Sequence, residues 1–211
     1  MKKVVFGLSN LFTLKRYKDN NLNCQSYEYP TIYSIRCAIL GAVIQVDGLD
    51  KARELFNKIK NTNIFIQFPR EYKVNGIRLK RYGNSYYKKY DELDREKMLK
   101  NNWNTTMGFR EYVQLDKIVF YIDDIVPDID LYLKNIDWIG TAESMVYLEK
   151  IEEVSYLENV LVKWNGKDST KVYEQHDWGS KTTFESVYMY SERYSHIHRS
   201  FMCQIDDIKI G

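Results

Sequence analysis

TIYSIRCAILGAVIQVDG, residues 31–48, is the most legible stretch of the chain. Ile32, Ile35, Ile39, Ala42, Val43 and Val46 recur every three or four residues, which places them on one face of an α-helix. Thr31 or Ser34 can cap its start, and Gly48 stands just past its end. A second, shorter helix is predicted over residues 50–60, with Ala52, Leu55, Phe56 and Ile59 on one side. Upstream, Val4, Val5, Phe6 and Leu8 read as a strand that gives way to a polar run at 15–23. Downstream, Ile64, Ile66 and Phe68 alternate as strand residues do. Beyond Pro69 the pattern stays polar to about Met107, and residues 109–122 then read as one long strand. Pro127 sits where a helix begins, Ile129, Leu133 and Ile136 form its apolar stripe, and Gly140 ends it. Residues 144–154 are again strand-like.

In order this is β-α-β-β-α-β with a long insertion between the second and third strands. That is the ferredoxin-like split βαβ, the scaffold of common RNA-recognition modules. The expected architecture is therefore α+β, with residues 1–155 as the ferredoxin-like (RRM-like) domain and about 70–106 as an inserted β-hairpin. Residues 156–211 should form a small antiparallel β-rich region packed on it. There, 160–164, the turn Asn165-Gly166 and a return through Val172 predict a hairpin, because Asn-Gly suits a type I′ turn. Two further strand-like runs follow near 182–190 and 196–210.

The insertion holds the sharpest local signal. YKVNGIRLKRYGNSYYKKY, residues 72–90, carries Lys73, Arg78, Lys80, Arg81, Lys88 and Lys89 and no acid, in a protein whose net charge is only +2. Interleaved are Tyr72, Tyr82, Tyr86, Tyr87 and Tyr90. Cations neutralise phosphates, and aromatic faces stack on bases at ~1–3 kcal/mol each. Gly76 and Gly83 permit the tight bends of a projecting hairpin. The plain alternative is a solvated edge hairpin, since lysines guard edge strands against pairing. DELDREKMLK, which follows, reads as a short exposed helix. Arg36, in the first turns of the main helix, and Arg110, in GFREYV, are further cations for which an internal ion pair and an RNA contact stand equal.

Other features narrow the class. The three cysteines, Cys24, Cys37 and Cys203, have no paired spacing and fit a reducing cytosol. The start MKKVVFGLSNLF is broken by Ser9 and Asn10, and no apolar stretch reads as the ~20 residues of a membrane span, so a cytoplasmic protein with no membrane role is expected. His176, His196 and His198 are the only histidines. His196 and His198, with Cys203 nearby, fall short of a zinc site, which needs three or four ligands. No cofactor motif occurs, so neither cofactor nor metal is expected.

Three segments in this order resemble the CRISPR-associated protein family five, a branch of the RAMP superfamily: YPTIYSIRCAILGAVIQVDG (29–48), TTMGFREYV (105–113) and IGTAESMVYLEKIEE (139–153). The matching marks are the small-residue helix segment Ala38-Ile39-Leu40-Gly41, the element Arg110-Glu111-Tyr112, and Gly140 followed by Glu143-Ser144. The resemblance spans most of residues 1–154. It implies a ferredoxin-like domain with a thumb-like hairpin between its second and third strands, where the basic insertion falls independently. It further implies a subunit of a type I CRISPR surveillance complex (Cascade), most like subtype I-B or I-A. Such a subunit would cap the 5′ handle of the crRNA, contact a backbone subunit of the Cas seven type and a large subunit of the Cas eight type, and meet target DNA only through the complex. One branch of the family cleaves repeat RNA without metal. That chemistry needs a group titrating near neutrality beside the 2′-OH, and no histidine lies in sequence near 29–48 or in the insertion. The chain is therefore expected to be non-catalytic, with a metal-independent endoribonuclease as the alternative.

Overall fold

The helix that dominates the sequence also organises the structure. A computed structural model describes residues 1–16, 23–82, 105–166, 171–187 and 197–209. Helix α1, Ile32–Asn61, is capped by Thr31, whose hydroxyl accepts from the Ser34 N–H. It contains the two predicted helices as one kinked element. Gly48 breaks the helical backbone at φ 85 and ψ −179, a region open essentially to glycine alone. Ile35, Ile39, Ala42 and Val43 before the kink, and Ala52, Leu55, Phe56 and Ile59 after it, are all buried. By length and hydropathy (1.4 over its most apolar window) α1 could cross a membrane, contrary to the sequence reading. Its apolar face is instead spent on the protein core.

That core lies against a four-stranded sheet of β1 (Lys2–Leu8), β3 (Ile64–Ile66), β6 (Lys117–Ile122) and β7 (Val146–Glu153). Their order is β3-β6-β1-β7, and every neighbouring pair is antiparallel. Helix α1 links β1 to β3, and a short helix α2 (Ile129–Lys134) follows β6 and leads to β7. Each helix thus connects two strands that run the same way with one strand between them, the βαββαβ order read from the sequence. Alternation explains which side chains are inside: Val4 and Phe6, Ile118, Phe120 and Ile122, and Ile64 and Ile66 share one face. Tyr132 of α2 donates to Asp47 of α1 at 2.6 Å, tying the two helices together. The protein is α+β.

A second sheet has the order β2-β5-β4, from β2 (Asn23–Cys24), β5 (Thr105–Gln114) and β4 (Lys73–Tyr82). The single strand expected over 109–122 is thus two strands in two different sheets. The chain changes sheet at Leu115 and Asp116, the first buried and the second exposed.

The third sheet, of β8 (Tyr156–Lys163), β9 (Val172–Trp178) and β10 (Ile197–Lys209), corrects a further expectation. Its order is β8-β10-β9, with β10 antiparallel to both neighbours. β8 and β9 therefore run in the same direction, which no hairpin allows. Part of the strand expected near 182–190 is a short helix α3, Phe184–Val187. Leu161, Trp178, Phe184 and Met202 belong to the same buried cluster as Val4 and Phe6. A smaller cluster of Tyr121, Leu157 and Val160 fills the other side of the first sheet.

Candidate nucleic-acid interface

The insertion begins as a long two-stranded ribbon. β4 and β5 pair antiparallel without a break from Lys73↔Gln114 to Tyr82↔Thr105. These strands hold five cations (Lys73, Arg78, Lys80, Arg81 and Arg110) against one carboxylate, Glu111. Glu111 accepts from the Ser26 N–H at 3.0 Å, on the opposite side of β5 from β4. Residues 73–78 are all exposed. Lys73 and Arg78 fall on opposite faces of the ribbon, because alternate residues of a strand point opposite ways. Lys80, Arg81 and Tyr82 continue the ladder opposite Met107, Thr106 and Thr105. Tyr86, Tyr87, Lys88 and Lys89, and the helix expected after Tyr90, lie outside the described residues. Gly76 is not a bend. It sits within β4 and makes room for the Phe109 ring, which a Cβ would meet at 2.4 Å.

The two isolated cations have internal partners. Arg36 is 6% exposed and grips Asp177 of β9 through Nε at 2.7 Å and Nη2 at 3.2 Å, while Nη1 donates to the Ile59 carbonyl. Its pairing needs are met inside the fold: the anion at this helix start is Asp177, and the guanidinium is buried. Beside it, Gln175 Oε1 accepts from the Ile32 N–H at 3.0 Å, satisfying one of the free donors of the helix N-terminus. Arg110 is half-buried and donates to Glu143, to which Tyr112 Oη also donates at 3.1 Å. Burial lowers the Arg110 pKa, but the hydrogen bonds to Tyr112 and Glu143 outweigh it and hold the pKa above its usual value.

These contacts join two of the segments that carry the family resemblance. Next to Glu143, the fully buried Ser144 accepts from the Thr13 N–H at 2.9 Å and donates to the Thr13 carbonyl at 3.0 Å. Arg110, Glu143 and Ser144 are thus latches between chain segments far apart in sequence.

Histidine placement overturns one premise of the sequence reading. His176 of β9 meets the Tyr27 hydroxyl at 2.8 Å through Nδ1, and Glu174 lies 3.3 Å from its Nε2. A histidine therefore stands beside the segment leading into α1, brought there by the pairing of β9 rather than by sequence distance. Both rings are deep, with His176 4% and Tyr27 3% exposed. Burial pushes the His176 pKa down, the Arg199 charge adds to this, and Glu174 opposes it. The imidazole is thereby held neutral and away from solvent. His198 is exposed on β10, His196 lies outside the described residues, and no group of three metal-ligating side chains occurs among the described residues.

No family model matches this sequence, and no curated protein does. Among solved structures, the chain is similar to a CRISPR protein from Archaeoglobus fulgidus, at 14% identity and a TM-score of 0.48, over 100% of this chain and 91% of that one.

Proposed function

We propose that this chain is a non-catalytic guide-RNA-binding subunit of a type I CRISPR surveillance complex, closest to subtype I-B. In this reading it holds the 5′ handle of the crRNA and contacts a backbone subunit and a large subunit in the cytoplasm. The observation that carries it is the β4–β5 ribbon. Four cations, besides an Arg110 already paired with Glu143, stand against one inward-turned carboxylate on strands inserted between the second and third strands of a βαββαβ sheet. Such a ribbon attracts a phosphate backbone locally even though the net charge is only +2. The order of the three resembling segments supports the family, and Tyr82, Tyr86 and Tyr87 supply stacking faces.

The His176–Tyr27 contact favours a second reading, a metal-independent endoribonuclease, because it places an imidazole and a phenol together near α1. Their burial argues against it, since a general base must reach the 2′-OH it deprotonates. One pair of measurements tests both. The chain should bind RNA bearing the repeat-derived handle and leave it uncut during long incubation in EDTA. Charge reversal at Lys80, Arg81, Lys88 and Lys89 should abolish assembly with partner subunits while circular dichroism stays unchanged. Wild-type assembly by that variant would sink the ribbon's role, and a discrete cut within the repeat would establish the nuclease.

A further inference from the structure

At the foot of the ribbon, where Phe68-Pro69-Arg70 leads from β3 toward β4, an open cleft of about 490 Å³ lies against β8 and β10. Its remaining lining residues are Asn159, Gln204 and Asp206. The size falls within the ~300–1,000 Å³ typical of small-molecule sites.

The walls are built rather than incidental. Asn159 sits at φ 50, a left-handed conformation uncommon for a residue other than glycine, and it is buried. Its backbone carbonyl accepts from the Phe68 N–H at 2.8 Å, and its Nδ2 donates to the Phe68 carbonyl at 2.8 Å. Its Oδ1 accepts from Gln204 Nε2. Phe68 is locked from behind by Tyr173, whose ring centroid lies 4.4 Å away. The floor is thus held by paired hydrogen bonds and ring packing. Neither Arg70 nor Asp206, both exposed at the rim, has an ion-pair partner within 4 Å among the described residues.

We infer that this cleft is a subsite for a single unpaired nucleobase, and that its chemistry fits guanine. A carboxylate accepts from two neighbouring donors, and guanine alone of the four bases presents an N1–H beside an N2–H₂ on its Watson–Crick edge. Asp206 supplies that carboxylate. Gln204 and Asn159 each keep one amide N–H beyond the one already donated, which suits O6 and N7, and Arg70 on the same lining offers a cation to the phosphate of that nucleotide. Adenine offers one donor on that edge beside an acceptor, which the carboxylate repels. The source of the base rests on the RNA-binding reading above; the cleft itself does not.

Two arms keep the two ideas apart. In the first, guanosine monophosphate and adenosine monophosphate are titrated into the wild-type chain and followed by saturation-transfer NMR. Guanosine monophosphate should bind saturably and at least fivefold tighter, and Asp206→Asn should erase the preference. Asp206 is exposed, so the substitution leaves the fold intact. In the second, a twelve-residue oligouridine carries one photoreactive 6-thioguanosine, and crosslinks are mapped by mass spectrometry. They should fall within residues 68–70 or 204–206. Equal binding of the two nucleotides, an unchanged preference in the variant, or crosslinks confined to other segments would overturn the subsite. Guanosine monophosphate binding at the cleft with no affinity for any oligonucleotide would instead uphold it and remove the RNA-binding reading.

Discussion

Replacing Arg36 by Met separates a structural from an RNA-contacting role for this residue. Methionine keeps most of the side-chain volume and removes the charge. Breaking a fully buried ion pair from one side costs about 3–5 kcal/mol. Here Arg36 is 7% and Asp177 27% exposed at the side chain, so the orphaned carboxylate regains some water and the lower end applies. Losing the donor to the Ile59 carbonyl adds about 1 kcal/mol. The sum is about 4 kcal/mol. For a chain of 211 residues each kcal/mol lowers Tm by roughly 2–4 °C, so Arg36→Met should melt roughly 8–16 °C early. Asp177→Asn strands the deeper charge and should cost at least as much. The double variant should lose less than the sum of the two single losses, by about 2 kcal/mol of coupling, because it strands no charge. The assay is urea denaturation of the four proteins, with RNA binding by fluorescence anisotropy at a temperature where all are folded. Undiminished stability with weakened RNA binding in Arg36→Met would refute the reasoning and return Arg36 to the interface.

Ser144→Ala removes both hydrogen bonds to the Thr13 backbone at a site with no exposure, and should cost about 2–4 kcal/mol in denaturation midpoints, whereas Ser144→Thr keeps the hydroxyl and should recover part of the loss. Gly48→Ala meets no steric neighbour but forces a Cβ onto a glycine-only backbone conformation; a destabilisation of about 1–3 kcal/mol is expected, and calorimetry showing none would mean that the kink relaxes. The lowered His176 pKa means that the unfolded chain binds more protons than the folded one between the folded value and about 6.5. Stability should therefore fall as pH drops below about 6.5, and His176→Gln should flatten this part of the profile between pH 7.5 and 5.5.

What could be read from the sequence was whatever depends on near neighbours. The spacing from Ile32 to Val46, the Thr31 cap and Pro127 ahead of a helix each lie within a few turns of chain, and α1 and α2 form there, although α2 stops at Lys134 with Asn135 as its cap, well short of the expected Gly140. Most of the misreadings concern partners chosen at a distance. Asn165-Gly166 does offer a local turn, and Gly166 does take a positive φ, yet β10 arrives from thirty-odd residues away to pair with both β8 and β9. Leu115 and Asp116 carry no breaker, so nothing in composition announces that β5 and β6 belong to different sheets. The partners of Arg36 and His176 were hidden for the same reason, since Asp177 and Tyr27 lie 141 and 149 residues away. The cleft residues Asn159, Gln204 and Asp206 left no trace in sequence, because an amide or a carboxylate becomes a recognition group only when the fold aims it.

The central position of β10 sets a timetable for folding. During synthesis β8 and β9 leave the ribosome before their common neighbour exists, and each must wait with an open edge for the strand that joins them. Asp177 and Gln175 on β9 also complete the start of α1, so the oldest helix is finished by one of the youngest parts of the chain. Contacts this long in sequence slow folding. A nascent chain stalled short of residue 197 would display two unpaired strand edges, the kind of surface on which chaperones and proteases act.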